Sequence, residues 1–170
     1  MSLVAPMFCL DVHYADASAT VAAVVFASWT DAVAIKETTL TLPVAAGYEP
    51  GEFYKRELPC LMAAIESLDE MPGLILIDGY VWLGASRPGL GARLYEALDG
   101  KVPVVGVAKT AFQGQTEAVE VYRGGSRRPL FVTAAGVSAQ EMAERVSQMH
   151  GEYRLPTLIK RADQLCRGRV

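Results

Sequence analysis

The feature that most constrains this chain is the run Leu74-Ile75-Leu76-Ile77, opened by Pro72-Gly73 and closed by Asp78-Gly79. Four consecutive apolar residues between turn signals are too few for a helix. They read as a strand covered on both faces, the habit of central strands in α/β sheets. The acid that follows sits at the rim of a dry core, where it either closes a turn, as Asp-Gly pairs do, or holds a cation.

The rest of the chain supplies partners for that strand. Apolar, Val-rich or aromatic stretches at 7–12 and 20–29 read as a hairpin through a turn at 15–19, and period-two spacing over 32–42 suggests a third antiparallel strand. Phe53, Leu58, Leu61, Ala64, Ile65 and Leu68 recur at helical spacing, which predicts a helix over 53–68 with Glu57 in its first turn and Pro59 near enough to the start to be tolerated or to kink it. A helix at 93–98, a buried strand at 102–107, a hairpin of 117–122 with 129–133 and a last helix at 138–149 follow. No repeat or linker interrupts this order, so one domain over 4–170 is expected: a mixed central sheet with helices packed on it, of the α/β class.

Composition narrows the function classes. Of the 170 residues, 51% are hydrophobic and 21% charged, which suits a globular core, and no apolar run approaches the roughly 20 residues of a membrane span. Without a signal peptide, a cytoplasmic location is expected. The net charge of −3 argues against coating nucleic acid through bulk electrostatics, so any such contact must be local. The basic residues Arg123, Arg127 and Arg128, and the later group Arg154, Lys160, Arg161, Arg167 and Arg169, offer such a surface or simply a solvated one. Three scattered cysteines suggest neither disulfides nor a zinc motif, and Cys9 and Cys60 read as small buried hydrophobes.

Three acids stand where folding alone does not need them. Asp11 closes the first apolar run, Asp78 closes the central strand, and Glu57 opens the helix between them. If the two strands are neighbours, the carboxylates repel and raise one another's pKa, a cost that a divalent cation removes. Oxygen-only donors suit Mg2+ or Mn2+ rather than zinc, and such sites support attack of water on a phosphodiester. Lys109, just past another buried strand, either neutralises the phosphate or is an ordinary exposed lysine. Each acid has an alternative as a cap or turn former in an unrelated α/β protein.

With these residues in place, the chain resembles the endonuclease V family. Asp11-Val12-His13-Tyr14 is similar to its first acidic motif, and Tyr48-Glu49-Pro50-Gly51-Glu52-Phe53-Tyr54-Lys55-Arg56-Glu57 to its Tyr-x-Pro-Gly to Phe-Arg-Glu motif. Ile77-Asp78-Gly79 with Arg87, Gly89 and Leu90 resembles a third, Val104 through Thr110 its Gly-Val-Ala-Lys-Ser stretch, and Tyr153-Arg154-Leu155-Pro156 with Arg161-Ala162-Asp163 its terminal segment. The resemblance implies a ribonuclease-H-like fold, dependence on Mg2+ or Mn2+, and incision 3′ of a deaminated purine in DNA or inosine-containing RNA. By position, it implies metal binding by Asp11, Glu57 and Asp78, assistance by Lys109, and nucleic-acid contacts from Tyr48, Pro50, Gly51, Gly79 and Arg87. Tyr48 would wedge beside the lesion, since an aromatic can replace the stacking lost when a base turns out.

The chain departs from the family's pattern where Gly84-Ala85-Ser86 replaces a His-Pro-Arg segment, where Ala134 to Ser138 lacks a histidine, and at its short N-terminal segment. These departures frame two alternatives, an active metal-dependent nuclease or a weak or inactive homologue that binds nucleic acid. Glu141 or Glu144 is a further candidate ligand, while His13 and His150 read as bystanders.

Overall fold

The computed structural model describes residues 5–44, 54–85 and 87–169. Strands β1 (Met7–Ala15), β2 (Ser18–Phe26) and β3 (Lys36–Pro43) form an antiparallel meander, followed by α1 (Tyr54–Glu66) and the apolar strand β4 (Leu74–Asp78). A small hairpin, β5 (Trp82–Gly84) with β6 (Arg87–Pro88), leads into α2 (Leu90–Ala97) and β7 (Val104–Ala108). Then come β8 (Val119–Val121), β9 (Leu130–Ala135), α3 (Ala139–Gln148) and α4 (Thr157–Cys166). The seven-stranded sheet has the order β3-β2-β1-β4-β7-β9-β8, with β1, β4 and β7 parallel and the outer strands antiparallel.

The apolar run that ends in Asp78 lies at the middle of this sheet, and its side chains alternate between two cores. Ile75 and Ile77 join Phe8, Leu10, Leu61, Ile65 and Leu94 beneath α1 and α2. Leu74 and Leu76 join Met7, Cys9, Val105, Val146 and Leu158 beneath α3 and α4. Both faces are covered, which is why the sequence there is continuously apolar rather than alternating. Each buried leucine or isoleucine contributes roughly 1.5–3 kcal/mol of transfer free energy, so these two cores bind the helices to the sheet.

Several sequence expectations change at their edges for local reasons. β1 does not stop at Asp11 but runs to Ala15, because β2 continues to pair with it through Ala15 opposite Ser18. The turn between them is therefore only Asp16-Ala17, with Asp16 at φ 54°. Residues 32–35 are not strand: Val33 and Ile35 are 79% and 66% exposed, and pairing begins at Lys36 opposite Val25. Ser138 caps α3, its Oγ accepting from the amide of Glu141. The helix α4 and the β5–β6 hairpin were not expected from the sequence. No helix among the described residues is long and apolar enough to cross a membrane.

Candidate metal centre and adjoining cleft

Strand register brings the first two acids together. Leu10 stands opposite Ile77 in the parallel pair β1 and β4, so Asp11 and Asp78 come next on neighbouring strands. Side chains alternate along a strand, and Asp11 follows Met7 and Cys9 just as Asp78 follows Leu74 and Leu76. Both acids thus share the face covered by α3 and α4. Glu57 reaches the same end of the sheet from α1, which packs on the opposite face, and lines a cleft with Asp78, Gly79 and Lys109. Asp11 stands behind Asp78 and does not line that cleft, so Asp78 is the group common to both sides.

Lys109, one residue past β7, spans the acids. Its Nζ lies 3.6 Å from Oδ2 of Asp78 and 3.7 Å from Oδ1 of Asp163. Asp163 is on α4, and Arg167 one turn later holds the same Oδ1 at 2.9 Å. Sequence reasoning gave Asp163 no role, because the basic residues around it masked a helical pattern. Leu158, Ile159, Ala162 and Cys166, the buried stripe of α4, carried the available signal.

Crowding of carboxylates at the edge of a core has the expected electrostatic signature. Burial, reinforced by the charge of Asp78, pushes Asp11 up to about 7. Glu57 is also pushed up to about 7, by burial first and Asp78 second, with Arg56 opposing. Burial raises Asp78 as well, against the pull of Lys109. Asp163 goes the other way: burial opposes the change, but the Arg167 hydrogen bond and the charges of Lys109 and Arg167 outweigh it and lower its pKa. A cluster of acids that resists ionisation is one that a cation would stabilise. Its oxygen donors fit Mg2+ or Mn2+.

The cleft encloses about 500 Å3 and joins these polar groups to Tyr80, Leu83, Pro88, Leu90 and Phe112. Tyr80 is fixed on one wall, its hydroxyl donating to the carbonyl of Thr110 at 2.8 Å and its ring 6.0 Å from that of Phe112. The loop after Asp78 is seated by Gly106 of β7. A Cβ there would come within 2.4 Å of the Gly79 carbonyl and 2.9 Å of the Val81 nitrogen. Thr133 of β9, opposite Gly106, receives the Val81 amide on Oγ1 at 2.8 Å. Gly79 itself sits at φ 119° with open space where a side chain would be, leaving its backbone bare.

The other sequence candidates are distributed as follows. Arg87 is exposed on β6, while Tyr48, Pro50 and Gly51 lie outside the described residues. Glu141 and Glu144 stand on the exposed side of α3, lining a separate cleft with Arg145 and Gln148. The carboxylate that joins Asp11 and Asp78 is Asp163. The basic clusters are largely structural rather than a free surface. Arg123 is buried and donates to the carbonyls of Met149, Gly151 and Arg154. Arg154 donates to those of Arg128, Pro129 and Lys109, and Arg161 pairs with Glu37 at 2.6 Å. All three cysteines are buried and free.

Comparison with known proteins places this arrangement. The family model for Endonuclease V matches residues 2–131. An Endonuclease V of Streptomyces coelicolor is 35% identical over an alignment covering 94% of this chain and 76% of the relative. Among solved structures, Endonuclease V of Streptomyces avermitilis superposes with a TM-score of 0.76 at 28% identity, covering 98% of this chain and 81% of that one. Endonuclease V of Ciona intestinalis, crystallised with a 24mer DNA containing an inosine followed by a ribo-adenosine, gives 0.83 over 97% and 85% of the two chains. At 19% identity, that second likeness shows the fold alone. The mixed sheet with its flanking helices is the ribonuclease-H-like fold, and the chain belongs to the Endonuclease V family.

Proposed function

We propose that this chain is a divalent-metal-dependent endonuclease that hydrolyses a phosphodiester 3′ of a deaminated purine in inosine-containing nucleic acid. The observation that carries the reading is the meeting of Asp11, Glu57 and Asp78, from three separate elements, beside Lys109. The Ciona relative's inosine-containing DNA supports the substrate class.

Asp11, Glu57 and Asp78 are the residues that would hold Mg2+ or Mn2+, with Asp163 behind them. A bound divalent cation supplies Lewis acidity, lowering the pKa of water and offsetting charge on the leaving oxygen. The ammonium of Lys109 faces the same acids and would neutralise a phosphate seated there. Asp163 and Arg167 hold Lys109 toward that position by giving its charge a second anchor. The cleft next to Asp78 has aromatic and aliphatic walls suited to an extruded base, and the bare backbone of Gly79 permits close approach. Tyr48, with Pro50 and Gly51, is assigned the wedge role on its sequence motif, and Arg87 a contact to the strand backbone.

A binding-only homologue is the competing reading, favoured by Gly84-Ala85-Ser86 in place of the histidine segment. Incision of end-labelled DNA and RNA carrying one inosine separates the two. Cleavage with Mg2+ or Mn2+ that EDTA abolishes supports the nuclease; retention of the labelled strand in a gel shift without any cut supports the binder.

A further inference from the structure

The acidic centre contains a sulfur that neither the family reading nor the proposed reaction uses. Cys166, at the end of α4, lies three residues after Asp163 and is 3% exposed. Donor atoms of Asp11, Asp163 and Cys166 all lie within 4.8 Å of one another. Oxygen ligands alone favour hard cations, whereas a thiolate among them shifts preference toward Zn2+ or Cd2+.

We propose that Asp11, Asp163 and Cys166 form a mixed oxygen and sulfur site that captures a thiophilic divalent cation. The inference does not depend on the nuclease reading, since it rests on the placement of α4 against β1.

Three observations support it. First, the donor atoms are nearly preset: with a Zn–S distance of about 2.3 Å and Zn–O of about 2.1 Å, two donors on one ion can be no more than roughly 4.4 Å apart. The present arrangement needs to close by only a few tenths of an ångström. Second, the Asp11 carboxylate is 9% exposed, and its hydrogen bond among the described residues comes from the adjacent Val12 amide, with no cation in ion-pair contact. A buried carboxylate without a counter-ion is aimed into this site. Third, the Cys166 thiol is held by a weak local bond alone, donating to the Asp163 carbonyl at 3.2 Å, which ligation would replace. On binding, the thiol proton leaves to solvent and the sulfur coordinates as thiolate.

The chain's Mg2+-type acids would then be shared between two ions of different character. Asp11 belongs to both sets, so a bound soft cation and a hard cation compete for it.

The test is titration of the metal-free protein with Cd2+, read by the ultraviolet thiolate-to-cadmium charge-transfer band. Wild type should develop the band to one equivalent, C166S should lose it, and C9S should keep it. D163N should weaken Cd2+ binding at least tenfold. Absence of the band in wild type, its persistence in C166S, or its loss in C9S alone would overturn the proposal. Should C166S fail to fold, cadmium NMR of wild type decides: a resonance in the one-thiolate range supports the site, and one in the oxygen-only range contradicts it.

Discussion

Asp11 and Asp78 stand on adjacent parallel strands, one step beyond the matched pair Leu10 and Ile77. Two carboxylates so placed repel, and Lys109 at 3.6 Å from Asp78 relieves only part of the strain. Asp78→Asn should therefore leave the melting temperature of the metal-free protein unchanged or raise it. Lys109 keeps Asp163 as a partner in the variant. The Mg2+-induced rise in melting temperature should disappear. A variant that melts several degrees lower without metal would mark Asp78 as a structural cap.

The pH dependence of stability follows from Asp11. Its pKa is raised from 3.8 to about 7 on folding, so between those values the folded state binds more protons than the unfolded one. Stability of the metal-free protein therefore falls as pH rises from about 4 to about 7 and levels off above. Glu57, also raised to about 7, adds in the same direction. Thermal melts across this range, with EDTA, check the sign, and saturating Mg2+ should flatten the decline. A melting temperature that climbs toward neutrality in EDTA contradicts the assignment.

Gly106 and Thr133 hold the loop after Asp78, and each should be costly to change. Gly106→Ala drives a Cβ into the Gly79 carbonyl, a backbone clash at the upper end of roughly 1–3 kcal/mol. Thr133→Val leaves the buried Val81 amide unpaired at about 1–3 kcal/mol. Denaturant unfolding measures both. A stable Gly106→Ala protein would show that the loop can move off β7 freely.

Arg123 should behave as a structural cation. Arg123→Met strands three carbonyl acceptors at the turn between α3 and α4, and should lower stability by roughly 2–4 kcal/mol. A variant of normal stability with weakened nucleic-acid affinity would instead return Arg123 to the binding surface.

The sequence was most readable where burial dictates residue type. The continuous run before Asp78 announced a doubly covered strand, and the spacing of Leu58, Leu61, Ala64 and Ile65 announced α1. Asp11, Glu57, Asp78 and Lys109 could be named because each borders an apolar segment. What remained hidden depended on packing across the sheet. Asp163 could not be placed beside Asp11 without knowing that α4 crosses β1, and the charges of Lys160, Arg161 and Arg167 disguised α4 as a basic surface. Arg123 and Arg154 looked solvated for the same reason, since carbonyl acceptors distant in sequence leave no mark in composition. The β5–β6 hairpin is too short for periodicity to register.

The central claim is that Asp11, Glu57 and Asp78 form one cation centre, and Mn2+ binding tests it most directly. Electron paramagnetic resonance of free Mn2+ gives binding isotherms for wild type and for Asp11→Asn, Glu57→Gln and Asp78→Asn. Each neutral variant keeps the side-chain shape and removes one charge, so each should weaken Mn2+ binding by at least tenfold, about 1.4 kcal/mol, with Asp78→Asn the most affected because both other acids face it. Wild-type affinity in all three variants would contradict the account.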